Sequence, residues 1–217
     1  GHRLYNMRDV SLMRRIEAAT GYVATDAKMS AVGSCFASNV YISTRIDGMA
    51  LAEGYSRGTH FRTKEIPEAP DAQYHGAFVL DPKPGVFDGV ANFDFASLYP
   101  SVFTTFNVSP DTFVPHDDAP GFDPSKLTTC PRFEIEGEAV GGSIFMREPL
   151  GVLPTIYKRV ADERRRCKLE MAKYAVDSGE WWRWKREEYA YKQLGLSIYG
   201  CMGSVYSRYF NADVAEA

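Results

Sequence analysis

Asp94-Phe95-Ala96-Ser97-Leu98-Tyr99-Pro100-Ser101 sets one carboxylate at the end of a short apolar run and follows it with a turn of small residues. The preceding Gly89-Val90-Ala91-Asn92-Phe93 reads as a short buried strand that would carry Asp94 to a sheet edge. A carboxylate beside amides freed by a turn suits a divalent cation and a phosphate chain together. The ordinary alternative is an Asp that merely forms a turn, with Tyr99 held extended ahead of Pro100. A second signal elsewhere in the chain has to decide between them.

Lys192-Gln193-Leu194-Gly195-Leu196-Ser197-Ile198-Tyr199-Gly200 is that signal. On a helix, Lys192, Leu196 and Tyr199 fall at i, i+4 and i+7 and share a face. A cationic tip, an apolar spacer and an aromatic ring in a row can grip a triphosphate and cover a base. Arg164 and Lys168 stand one helical turn apart in an earlier segment, where a planar guanidinium and a mobile ammonium complement each other at phosphate. A merely solvated basic face competes with this reading, because Arg165 and Arg166 blur which cation matters.

The chain has 217 residues, 45% of them hydrophobic, enough to bury a real core in one or two domains. Its net charge of −3 speaks against coating nucleic acid by charge alone. The basic residues nevertheless concentrate between Arg159 and Lys192, as expected of an acidic body that handles phosphates at one place. No apolar run approaches the ~20 residues of a membrane span, so no membrane partner is expected. Cys35, Cys130, Cys167 and Cys201 lie far apart without a Cys-x-x-Cys pair, which favours reduced thiols, an intracellular location and no structural zinc.

Apolar spacing predicts a helix over 4–19 and another between about Met29 and Arg45, in a segment whose small residues imply close packing. Residues 59–73 read as a linker. Ala77-Phe78-Val79-Leu80 and Val86-Phe87 read as strands flanking a Pro-rich turn, and residues 109–131 as loop. Phe133-Glu134-Ile135 and Gly142-Ser143-Ile144-Phe145 read as paired strands. A short helix is expected to end near Asn107. Two long helices, from about Leu153 to Val176 and from Glu180 to about Ile198, would form a hairpin broken at Asp177-Ser178-Gly179.

The Asp94 stretch resembles the first polymerase motif of family B DNA polymerases, Asp-x-x-Ser-Leu-Tyr-Pro-Ser. The Lys192 stretch resembles the second, Lys-x-x-x-Asn-Ser-x-Tyr-Gly, with Leu196 standing where the family has Asn. Tyr74-His75-Gly76-Ala77 is similar to the family's Tyr-x-Gly-Gly/Ala segment. Tyr5-Asn6-Met7-Arg8-Asp9 is similar to the last exonuclease motif, Tyr-x-x-x-Asp. Residues 206–217 look like the strand and helix start beyond the second motif. Nearly the whole chain is covered, in detail closest to phage-type members.

The resemblance implies an α+β fold: part of a polymerase palm, an antiparallel sheet with helices, plus a two-helix fingers arm and an N-terminal helical segment. Residues 1–20 would end a 3′–5′ exonuclease domain and 21–73 would be a connector. Residues 74–149 would be palm, 150–200 fingers and 201–217 the return to palm. Asp94 would be catalytic and, with the Phe95 carbonyl, hold Mg²⁺ or Mn²⁺. Ser97, Leu98, Tyr99, Arg164, Lys168, Lys192 and Tyr199 would bind the dNTP, Tyr99 excluding a 2′-hydroxyl. Tyr74, Gly76 and Gly200 would meet template, and Tyr5 and Asp9 would be exonuclease remnants. Expected partners are primer-template DNA, dNTP, the rest of the polymerase or a complementing subunit, and a sliding clamp; a phage source would place it in host cytoplasm. No Asp-Thr-Asp turn occurs among the 217 residues. The chain is therefore expected to be an interior piece or half of a split enzyme, inactive alone, with a non-catalytic binding remnant as the alternative.

Overall fold

The computed structural model describes residues 2–39, 41–64, 79–95, 97–135 and 137–217. Its helices are α1 (His2–Thr20), α2 (Tyr22–Val32), α3 (Ile42–Arg57), α4 (Leu98–Phe106), α5 (Val152–Met171), α6 (Gly179–Met202) and α7 (Ala212–Ala215). Its strands are β1 (Phe113–Val114), β2 (Leu127–Thr129), β3 (Arg132–Ile135), β4 (Glu138–Gly141) and β5 (Ile144–Met146). The class is α+β, as expected. The residues fall into two compact units, one of Gly1–Gly58 and Arg159–Ile198, the other of Thr59–Lys158 and Tyr199–Ala217. None of the described helices is long and apolar enough to cross a membrane.

In the first unit, α1 forms where expected but buries none of its residues. The apolar stripe of Leu4, Met7, Val10, Met13 and Ile16 is exposed throughout. The helix expected across Met29–Arg45 is instead two helices. The reason is close backbone contact: a Cβ on Gly48 would lie 2.0 Å from the Gly33 carbonyl oxygen, and one on Gly33 would lie 2.7 Å from the Arg45 Cβ. The small residues therefore let the end of α2 lie against α3, which a straight helix could not do. Arg45, fully buried, ties the junction by donating from Nη2 to Asp26 Oδ1 at 2.5 Å and to the Asn39 carbonyl at 3.1 Å.

The helical hairpin forms as expected, with adjusted ends. The last four-residue bond of α5 runs from the Ala172 N–H to the Lys168 carbonyl; the bonds of Lys173 and Tyr174 then span three residues. The helix thus stops five residues short of Val176. Ser178 caps α6 by accepting from the Trp181 N–H at 3.2 Å, and α6 runs on to Met202.

In the second unit, the expected loop 109–131 contains β1 and β2, which flank β5 in an antiparallel sheet ordered β1-β5-β2. The expected pairing of 133–135 with 142–145 is not formed. Arg132–Ile135 folds onto Glu138–Gly141, with Arg132 opposite Gly141 and Phe133 opposite Val140. Gly137, at φ 86°, turns that hairpin tightly, and left-handed backbone at Gly141 and Gly142 separates it from β5. The strands expected at 86–87 and 89–93 are also absent, and of the strand expected at 77–80 the first two residues lie outside the described residues: residues 79–95 hold no helix or strand and are exposed, Phe93 at 91%. A strand needs a neighbour to complete its ladder, and none of the described strands pairs there. Residues 206–210 likewise form turns, not a strand, before α7, which Asn211 caps at the Val214 N–H.

Candidate functional site

Asp94 and Phe95 lie a few residues before α4, and both are exposed. Ser97, in the left-handed region at φ 59°, is the residue before the helix, and its side chain makes no cap. The first intrahelical bond runs from the Ser101 N–H to the Ser97 carbonyl at 3.0 Å. Leu98 and Tyr99 sit in the first turn, where amides have no intrahelical acceptor, and Pro100 has no N–H to leave unpaired. A helix start with open amides directly after a carboxylate attracts anions at its amides and cations at its acid.

Tyr99, 47% exposed, lies against Tyr199 with ring centroids 5.3 Å apart. Phe103, one turn further along α4, packs on Tyr157 of α5 at 4.7 Å. Burial, reinforced by the neighbouring Tyr99, raises the Tyr157 phenol above its usual pKa, and a backbone hydrogen bond with Tyr199 partly opposes this. Tyr199 also donates from its hydroxyl to the Ala215 carbonyl at 3.3 Å. An aromatic cluster thus fixes α4 to the start of α5 and the end of α6. Gly200 is exposed, with open space where a Cβ would be.

The supports of this cluster carried no sequence signal. Asn107, buried with φ 57°, donates to the carbonyls of Met146 and Pro149 and accepts from the Gly151 N–H at 2.7 Å. Asp111 accepts the Val152 N–H and Ser109 the Leu153 N–H, so the loop after α4 caps α5. Asn and Asp at a helix end are common in any turn, which is why their caps for a helix some forty residues on were not legible.

The first unit carries the cations. Arg164 Nε donates across the hairpin to Glu188 Oε1 at 2.6 Å. Arg165 and Arg166 instead pair with Asp162 and Glu163, three residues earlier on the same helix. The structure therefore separates Arg164 from the basic residues that blur it in sequence. Burial acts to raise the Glu188 pKa, but Arg164 and then Lys185 outweigh it, and the carboxyl lies below its usual value. Lys168, Lys192 and Leu196 are exposed, Leu196 at 64%. Arg164 and Lys168 share a face of α5, Glu188 and Lys192 a face of α6, and the ion pair sets these two faces on one side of the hairpin.

Tyr5 and Asp9 are exposed one turn apart on α1. Tyr74 and Gly76 lie outside the described residues. Among the described residues no three His, Cys, Asp or Glu side chains gather as a metal site. The Asp94 carboxylate and Phe95 carbonyl are hard oxygen donors of the kind Mg²⁺ or Mn²⁺ takes. Such an ion takes about six oxygen ligands, so these two groups fit it only as part of a larger set.

A family model described as DNA polymerase family B matches residues 25–217. The chain is 35% identical over 150 residues to DNA polymerase 2 of Aeropyrum pernix, covering 69% of this chain and 17% of that one. It is 31% identical over 175 residues to a DNA polymerase of Archaeoglobus fulgidus, covering 80% and 20%. Among solved structures, the family B DNA polymerase of the archaeon Pyrobaculum calidifontis superposes with a TM-score of 0.68 at 28% identity, over 93% of this chain and 25% of that one. The chain thus spans about a fifth of the length of the curated relatives it matches.

Proposed function

The chain belongs to DNA polymerase family B, and on that premise we propose that it serves template-directed DNA synthesis, adding deoxynucleotides to a primer. The observation that carries this reading is the contact of Tyr99 with Tyr199, which joins the turn after Asp94 to the end of the helix bearing Lys192.

In this proposal Asp94 and the Phe95 carbonyl contribute ligands for Mg²⁺ or Mn²⁺. Such a divalent cation, when bound, would supply charge neutralisation for an in-line displacement at the α-phosphorus, two ions serving this in the proposed mechanism. The open amides of Ser97, Leu98 and Tyr99 donate to the β- and γ-phosphates. Arg164, Lys168 and Lys192 balance the charge of the departing pyrophosphate. The Tyr99 ring supports the deoxyribose and leaves no room for a 2′-hydroxyl, while Tyr199 backs that ring. Tyr74, Gly76 and Gly200 guide template, and Tyr5 and Asp9 belong to a proofreading segment. The other carboxylates come from residues outside these 217, so the chain alone binds primer-template and dNTP weakly and does not extend a primer. A phage-type source suits the wording of its motifs.

Asp94→Asn in the complete polymerase tests the reading. Incorporation should fall by about 10³-fold while primer-template binding persists, a loss on the scale of removing a preorganised charge partner. Undiminished incorporation would refute the role of Asp94, and robust extension by the 217-residue chain alone would refute its dependence on further residues.

A further inference from the structure

We infer that Glu188 is a positioning residue, holding the Arg164 guanidinium by its Nε edge so that both terminal nitrogens present outward to a nucleotide triphosphate. The inference rests on the proposed role of Arg164 and adds to it the group that makes that role specific.

The Glu188 side chain is 4% exposed and that of Arg164 34%, so the carboxylate is the buried anchor and the guanidinium reaches from it towards solvent. A guanidinium has five donors in one rigid plane. The bond to Glu188 uses the single donor on Nε. Of the four on the terminal nitrogens, one runs parallel to Nε–H on that same edge, and the end-on pair, one from each nitrogen, forms a fork that meets phosphate oxygens two at a time. Lys185 Nζ stands 3.4 Å from the second Glu188 oxygen. Two cations then share one carboxylate, and the group keeps a net positive charge towards an anion. An unpinned surface arginine would lose rotamer freedom on binding, and Glu188 removes much of that cost in advance. Arg165 pairs only along its own helix, and Arg166 gives both Nε and Nη2 to the more exposed Glu163 and lies over the Trp184 ring, so neither is held by a buried carboxylate across the hairpin. The same bond links α5, which carries Lys168, to α6, which carries Lys192. A carboxylate that merely competed with triphosphate would act in the opposite sense, and the experiment separates the two.

Single-turnover incorporation by the complete polymerase gives dNTP affinity and maximal rate, and primer-template affinity is measured separately. Glu188→Ala should weaken dNTP affinity by about tenfold, the scale on which a misplaced supporting group loosens a binding site, more than it lowers the maximal rate. Primer-template affinity should stay at the native value. Glu188→Gln, whose amide oxygen still accepts from Nε, should recover most of the loss. Native or tighter dNTP affinity in Glu188→Ala would overturn the inference, as would equal loss in both variants with equally lowered melting temperatures. Arg164→Ala is the control. If it weakens dNTP binding and Glu188→Ala does not, the positioning role alone is wrong; if it leaves dNTP binding native, the role of Arg164 falls and the inference with it.

Discussion

The rings of Tyr99 and Tyr199 meet at 5.3 Å with their planes inclined by 49°, so the first turn of α4 and the last turn of α6 share one aromatic contact. A tilted pair of this kind contributes about 0.5–1.5 kcal/mol beyond its buried area. Its larger consequence is geometric. Tyr99 is half exposed, and Tyr199 supports it from behind while held by Ala215.

Replacing Tyr99 by Ala should relax sugar discrimination. In the complete polymerase, the single-turnover preference for dNTP over rNTP should fall by about tenfold or more, the range in which pocket shape discriminates small groups. Tyr199→Phe keeps the ring and loses the hydroxyl that bonds Ala215, so it should cost about 1 kcal/mol of stability and leave the preference intact. An unaltered preference in Tyr99→Ala would show that the ring does not meet the sugar.

Gly48 lies close against the backbone of Gly33, and adding a methyl there drives it into the Gly33 carbonyl. Gly48→Ala should destabilise the 217-residue chain by about 1–3 kcal/mol in urea unfolding, as overpacking does. Gly179→Ala, at the start of α6 with open space around it, should be neutral or slightly stabilising. Equal effects at both positions would mean that α2 and α3 are not in this close contact.

Lys28 bonds Glu187 at 3.0 Å and lies 5.5 Å from the centre of the Tyr191 ring. Burial tends to lower its pKa, but Glu187 and Tyr191 together outweigh burial and hold it above the ordinary 10.5. A cation whose folded pKa is raised stabilises fully below the unfolded value and loses that contribution as pH rises through the folded one. The melting temperature of the native chain should therefore exceed that of Lys28→Met by a constant margin up to about pH 10, and the margin should close above the unfolded value of about 10.5. A margin that persists or widens at higher pH would contradict the ion pair.

Much of this arrangement was legible along the chain, and for a local reason. The period of apolar residues marked α1 and both long helices, because each helical bond closes within four residues. The same locality placed Arg164 with Lys168 on one face. The reading failed where two segments had to choose each other. A helix across Met29–Arg45 satisfies its own period, yet the approach of Gly33 to Gly48 breaks it. Residues 133–135 could have paired with either following strand, and the tight turn at Gly137 selected the nearer. Gly89–Phe93 carries strand-forming residues, but none of the described strands lies beside it.

Sequence alone determined which chemical groups the chain carries and their spacing: an acid before an open helix start, cations at helical intervals, a tyrosine ahead of a proline. Only the tertiary structure decided that Arg164, and neither Arg165 nor Arg166, crosses the hairpin to a buried carboxylate, and that Tyr199 backs Tyr99. The physical reason is range. Propensity and periodicity act within one or two helical turns, whereas the choice of partner sums burial, charge and shape over segments that meet only once the chain has folded.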